Sequence, residues 1–205
     1  MHAGAVSLDT KITACERAYA AAGLPTVFRI PSITPDRALD AVLAARGYGK
    51  ADKTSIRVAD LADFTEPAAI RVTLEPTLSQ DWLATFARFD GMTPQASAAH
   101  RAIVAATRHP TMFASVRDGG AILAVAAAVL QGRFVYFNSV ATDPAQRRRG
   151  LARAVMTALL GWARRGGAEV AYLPVVKTNV SALALYNGLG FRTELYRYHY
   201  RQLTP

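Results

Sequence analysis

Residues 140–156 read "VATDPAQRRRGLARAVM", and two periodicities meet in this stretch. Upstream, "TMFASVRDGGAILAVAAAVLQGRFVYFNSVAT" (111–142) is a run of short apolar segments turned at Asp118-Gly119-Gly120 and at Gln131-Gly132-Arg133, which predicts a three-stranded meander. Downstream, Leu151, Ala154, Val155, Ala158, Leu159 and Trp162 recur at helical spacing, one apolar face of a helix that should end near Gly166-Gly167. Between them, Arg147, Arg148 and Arg149 precede Gly150. A helix start carries unpaired N–H groups and the positive end of the dipole, so cations there are out of place. A bound anion removes the conflict: the amides face it, Gly150 lets the backbone come close, and the arginines gain a partner. The plain alternative is a solvated charge run, costing only ~0.3–1 kcal/mol per charge.

Working outward, strand and helix signals alternate from residue 69 to the end of the chain. "AIRVTL" (69–74) reads as a strand, and "SQDWLATFARF" (79–89) and "QASAAHRAIVAATR" (95–108) read as helices. After the long helix come "EVAYLPVV" (169–176), a strand, "NVSALALYNGLG" (179–190), a short helix closed by Gly188 or Gly190, and "FRTELYRYHYRQL" (191–203), a closing strand region. This is a mixed α/β sheet in which an antiparallel meander feeds a parallel crossover.

With 205 residues, 51% of them apolar and 19% charged, the chain has enough apolar content for a folded core. Its longest apolar stretch, "AILAVAAAVL" (121–130), is about half of the roughly 20 residues a spanning helix needs, so a buried strand is expected and no membrane partner. The start of the chain lacks the pattern of a secretory signal, and a cytoplasmic location is expected. A single cysteine, Cys15, and four scattered histidines provide no metal-ligand spacing, so no metal is expected. Cys15 itself is expected to be a small buried residue of a helix. Residues 1–68 hold 8 Lys+Arg and 8 Asp+Glu, so the whole net charge of +9 lies in 69–205. That excess suits a nucleic acid, an acidic surface or a small polyanion.

Sliding the sequence by 143 residues superposes Ala20 on Ala163, Gly23 on Gly166, Val27 on Val170, Pro31 on Pro174, Ala41 on Ala184 and Gly47 on Gly190, with Tyr48 facing Phe191. Matched glycines and prolines at matched element boundaries make residues 1–68 a partial copy of the unit whose complete version is 69–205. The partial copy has no counterpart of the arginine-glycine turn, and its expected role is structural.

There is no GxxxxGK[ST] or GxGxxG run. Instead, "VATDPAQRRRGLARAVM" followed by "TNVSALALYNGLGF" (178–191) resembles the acyl-CoA-binding region of the GCN5-related N-acetyltransferases (GNAT family). The signature of that family is Q or R, two residues, G, one residue, G or A; Arg147, Gly150 and Ala152 match it. The resemblance covers about 69–205, and the preceding segment looks like the partial N-terminal repeat that some members carry. It implies the family's acyl-CoA N-acyltransferase fold with a truncated N-terminal half-repeat, acetyl-CoA as co-substrate, and a small-molecule or peptide amine as acceptor.

By the same resemblance, Val140, Ala141 and Thr142 would offer backbone groups to the pantetheine arm and thioester. The pyrophosphate would lie on backbone N–H groups of Arg148, Arg149, Gly150, Leu151, Ala152 and Arg153, with Arg147 heading the turn and guanidinium groups secondary. Asn179 matches an asparagine that contacts the coenzyme, and a helix N-cap is an equally good role for it. Tyr186 matches the tyrosine that protonates the departing thiolate, although the apolar stripe Ala182, Leu185, Tyr186, Leu189 also suits a core tyrosine. Pro174 departs from members that place a glutamate base there. It fits the family's splaying of this strand, since proline donates no ladder hydrogen bond. The base is then a water chain, with Asn138 or Tyr136 positioning it, or Glu75.

The expected reaction is direct acetyl transfer to an amine, with a backbone N–H near Val140 or Ala141 at the oxyanion. Rival readings are a catalytically silent acyl-CoA sensor and a basic nucleic-acid module using the "YRYHYR" tail. The tail's period of two is better explained by a strand with two faces, so nucleic acid is disfavoured. The chain is expected to be a monomer or a homodimer.

Overall fold

The computed structural model describes residues 6–34, 38–62, 64–65 and 70–203. Its elements run α1 (Leu8–Ala21), β1 (Val27–Pro31), α2 (Ala38–Ala45), β2 (Gly49–Asp60), β3 (Thr73–Glu75), α3 (Gln80–Asp90), α4 (Pro94–Ala106), β4 (Thr111–Asp118), β5 (Ala121–Gln131), β6 (Phe134–Thr142), α5 (Leu151–Arg165), β7 (Val170–Val176), α6 (Val180–Asn187) and β8 (Thr193–Gln202). The strands form one mixed sheet ordered β1-β8-β2-β7-β6-β5-β4-β3. The fold is α/β, as the alternation of signals predicts.

Two compact units make up the chain. One groups 1–56 with 175–179 and 194–205; the other groups 57–174 with 180–193. The sequence division at 68/69 falls outside the described residues, on 66–69.

In the first unit, β1 pairs antiparallel with β8 from Val27↔Gln202 to Pro31↔Tyr198. Ile12 of α1, Ile30 of β1, Leu43 of α2 and Tyr48 form its buried cluster. Cys15 is exposed, not buried, because Ile12 is the buried residue of α1. The expected two-faced strand at the C-terminus is β8, with Leu195 and Arg197 exposed and Tyr198 buried. Adding 143 to the bounds of α1, β1, α2 and β2 gives 151–164, 170–174, 181–188 and 192–203, within two residues of α5, β7, α6 and β8 at every boundary.

The second unit is built on the meander. Asp118 pairs with Ala121 across Gly119 and Gly120, whose φ values of +55° and +87° give the two-residue turn that matches strand twist. Buried β5 packs with Trp82, Phe86 and Phe113 in one cluster, and Trp82 Nε1 donates to the Ala114 carbonyl at 3.0 Å. Of the expected strand over 69–74, Thr73 and Leu74 lie in β3, which runs on to Glu75 and pairs with β4 from Thr73↔Ser115 to Glu75↔Phe113; Ala69 is outside the described residues. Helix α5 ends at Arg165, and a Cβ on Gly166 would stand 2.6 Å from Leu130 Cδ2, so the helix end lies close against β5.

Candidate active site

Three features of the second unit converge on the end of β6. The first is a break in pairing. Strands β6 and β7 run parallel and pair only at Phe134↔Val170, Val135↔Ala171 and Tyr136↔Tyr172. Beyond that point, Asn138–Thr142 on one side and Leu173–Pro174 on the other share no ladder. Pro174 has no N–H to give to one. The rings of Tyr136 and Tyr172, 5.2 Å apart, close the paired end.

The second is a bulge. Ala127 opposes Asn138 and Val125 opposes Ala141, so Ser139 and Val140 together face Ala126 alone. Ser139 has φ +54°, in the left-handed region. A bulge of this kind leaves the extra residue out of the ladder and bends the strand beside the opening. The Ser139 hydroxyl lies 2.7 Å from Asn138 Oδ1, to which it can donate.

The third is the turn into α5. Asp143 Oδ1 accepts from Ala145 N at 2.9 Å and closes a short 3₁₀ turn, Pro144–Gln146. Arg148 (φ +65°) and Gly150 (φ +79°) are both left-handed, and Gly150 caps α5 with no side-chain acceptor. The first helical bond is Ala154 N to Gly150 O at 3.0 Å, and no described residue accepts from the backbone N–H of Arg147 through Arg153. Seven consecutive donors are therefore left for an anion, in a turn with two left-handed residues, a conformation that suits anion binding. No acidic residue occupies the first turn of α5.

The predicted site residues take distinct places. Val140, Ala141 and Thr142 lie on the unpaired half of β6, and Arg147, Arg148, Arg149, Gly150, Leu151, Ala152 and Arg153 form the turn and first helical residues. Two guanidinium groups are already engaged: Arg149 Nη1 donates to Gln146 Oε1, and Arg153 Nη1 donates to the Gly188 carbonyl at 3.1 Å. Asn179 precedes α6 within the first unit and donates its N–H to the Val176 carbonyl at 2.9 Å. Tyr186 is buried against Phe191, which packs edge-on against Phe137 of β6. Burial alone pushes its phenol up from the ordinary value of 10 to about 12. Glu75 faces Arg117 at 4.0 Å on β3 and is not on the wall of the cavity described next.

A concave cavity of about 470 Å³ lies between the meander and α3–α4. Tyr136, Asn138, Ser139 and Tyr172 form its polar wall, Phe86 and Phe113 part of its apolar wall, and His100 of α4 joins them. Sequence reading missed Ser139, Tyr172 and His100. No glycine or proline marks the bulge, and His100 sits on a helix with no fully buried residue.

A family model described as "Probable histone acetyltransferase Rv0428c C-terminal" matches residues 4–201. The chain is 25% identical over 187 residues to "Uncharacterized N-acetyltransferase YobR" of Bacillus subtilis, covering 89% of this chain and 75% of that protein. It is 37% identical over 94 residues to "N-alpha-acetyltransferase RimI" of Mycobacterium tuberculosis, covering 43% of this chain and 58% of the relative. The crystal structure of a GCN5-related N-acetyltransferase from Sphaerobacter thermophilus superposes with a TM-score of 0.69 at 18% identity, over 97% of this chain and 69% of that one. The match over 4–201 is decisive: the chain belongs to the Rv0428c C-terminal acetyltransferase family and is a GNAT-type N-acetyltransferase.

Proposed function

We propose that the protein moves the acetyl group of acetyl-CoA directly to a primary amine in a ternary complex. The observation that supports this most strongly is the row of unpartnered N–H groups from Arg147 to Arg153, next to the unpaired half of β6. A diphosphate on those amides leaves the pantetheine arm to pair with Val140, Ala141 and Thr142. The thioester carbonyl then lies by the bulge, where an amide near Val140 or Ala141 stabilises the oxyanion.

The acceptor amine enters the 470 Å³ cavity and attacks the thioester carbon. A new N–C bond forms, the C–S bond breaks with its electron pair going to sulfur, and Tyr186 supplies the hydrogen bond or proton that the thiolate takes. We infer a small-molecule or peptide amine as acceptor; the name of the N-alpha-acetyltransferase relative supports the peptide amine. The correspondence between α1-β1-α2-β2 and α5-β7-α6-β8 supports the half-repeat reading of residues 1–68 as a structural copy.

The nucleic-acid reading has less support. Arg29 Cζ lies 3.8 Å over the Tyr198 ring and Arg29 donates to the Tyr196 hydroxyl at 3.0 Å, so these aromatics are engaged within the first unit. Calorimetry with acetyl-CoA and with an oligonucleotide separates the two. Thiol release from acetyl-CoA with spermidine, kanamycin and a peptide bearing a free N-terminus tests catalysis. Binding without turnover of any amine leaves the silent sensor in its place.

A further inference from the structure

An amine acceptor reaches the enzyme mostly as its ammonium, since α-amines and alkylamines have pKa values of about 8 and 10. Attack on the thioester needs a free lone pair, and Pro174 beside the unpaired half of β6 has no side chain that can take a proton. Among the described residues on the wall of the acceptor cavity, His100 is the one side chain able to take a proton near neutral pH. Its ring packs against Phe86, with centroids 5.2 Å apart, and its Nε2 is buried with no hydrogen-bond partner. A buried imidazole nitrogen without a partner is costly, and a purely structural histidine would avoid that cost by pairing.

We propose that His100 is the base that takes the first proton from the bound acceptor ammonium. This rests on the acetyltransferase reading and extends it. With Nε2 sealed in the apolar wall, the proton enters at Nδ1. The ammonium loses one proton to the imidazole, and the amine forms the N–C bond. Its second proton, released as the C–S bond breaks, balances the one that sulfur receives. His100 returns its proton to water after product leaves.

The surroundings favour a neutral, receptive imidazole. Burial lowers the pKa of His100 below 6.5; the nearby Asp90 carboxylate of α3 opposes this more weakly, and its own carboxyl is pushed up by burial. The other titratable groups among the described residues on the cavity wall are the phenols Tyr136 on β6 and Tyr172 on β7. A base whose pKa is lowered in this direction favours the proton-accepting form when substrate binds.

The test is the pH dependence of thiol release by the wild type and His100→Gln, using whichever of spermidine, kanamycin or a free-N-terminus peptide the wild type turns over fastest. His100→Gln should lower kcat at pH 7 by about 100-fold. Its KM for acetyl-CoA should stay within about threefold, and activity should recover toward wild type as pH rises through the pKa of the amine. A deficit that stays constant with pH, or none at all, overturns the base while leaving the acetyltransferase reading intact. No turnover of any amine by the wild type overturns both. Should His100→Gln fail to fold, the imidazole C–H resonances of the wild type decide: His100 must titrate below 6.5, and titration above that value overturns the proposal.

Discussion

Arg153 Nη1 donates to the Gly188 carbonyl at 3.1 Å, so a side chain at the start of α5 is tied to the end of α6 instead of reaching for an anion. The packing is close, because a Cβ on Gly188 would stand 2.5 Å from Arg153 Nη2. Main-chain amides, rather than this guanidinium, are then the groups left for a diphosphate. Arg153→Ala should lower Tm by about 2–4 °C through loss of roughly 1 kcal/mol. It should leave the acetyl-CoA Kd within about threefold, under 1 kcal/mol. Gly150→Ala is the contrasting case: its Cβ meets only Ile70 Cδ1 at 4.0 Å, yet φ of +79° strains any side chain. If the turn relaxes, its amides lose their alignment, and affinity should fall about tenfold or more. Calorimetry on both variants checks the assignment; the opposite ranking would move binding to the arginine side chains.

Tyr186 is the second test. Its phenol, raised to about 12, stays protonated across the usable pH range. Full proton transfer to a thiolate of ordinary pKa, about 8.5, would run uphill by roughly 5 kcal/mol. The hydroxyl therefore acts mainly as a hydrogen-bond donor to the leaving sulfur unless the bound coenzyme lowers its pKa. Tyr186→Phe should reduce kcat by about 10–100-fold, the modest end for acid catalysis, with little change in acetyl-CoA affinity. The wild-type rate should show no descending limb from this group up to pH 10. Such a limb, assigned by its loss in Tyr186→Phe, would show that the site lowers the phenol's pKa.

Most of the second unit was legible because its signals are strong and local. The strict apolar spacing from Leu151 to Trp162 marks α5, and paired glycines mark the first hairpin turn. Pro174 indicated the break in pairing with β6, since proline lacks the donor a ladder needs. The bulge was hidden: "FNSVAT" carries no glycine or proline, and Ser139 is left-handed although a non-glycine residue seldom adopts that region. Overreach in the strand at 69–74 has a similar cause, because alternating Ile70, Val72 and Leu74 suit a strand while β4 pairs only with 73–75. His100 and Tyr172 share a cavity with no spacing rule between them, so only the fold brings them together.

Trp82 connects the core to the bulge. Its Nε1 donates to the carbonyl of Ala114, whose strand partner Ala126 is the residue opposite Ser139 and Val140. Trp82→Phe leaves that buried carbonyl without the donor and opens space beside Phe113. The expected loss is about 2–4 kcal/mol, from the lost hydrogen bond and the void together. Urea unfolding followed by circular dichroism reads it; a change under 0.5 kcal/mol, on the scale of ordinary surface substitutions, would mean that the core readily rearranges around the smaller ring.

Asp40 sets the acid limit of the first unit. Its Oδ1 accepts from Arg201 Nε at 2.7 Å and lies 2.8 Å from His199 Nε2, while Arg201 also donates to the Tyr48 carbonyl at 2.9 Å. Arg201 is the main cause that lowers the carboxyl from 3.8 to about 2; burial works against it, and His199 adds to the lowering. A folded-state pKa below the unfolded value gives stability that is present above pH 3.8 and lost as pH falls toward 2. The shift corresponds to about 2 kcal/mol, reduced to roughly 1 kcal/mol by solvent screening of a side chain about a third exposed. Asp40→Asn should therefore weaken hydrogen-exchange protection around Leu43 and Tyr48 at pH 7, and match the wild type near pH 2. Were the difference between the two proteins independent of pH, the lost stability would come from packing or hydrogen bonding, and not from the charge on the carboxylate.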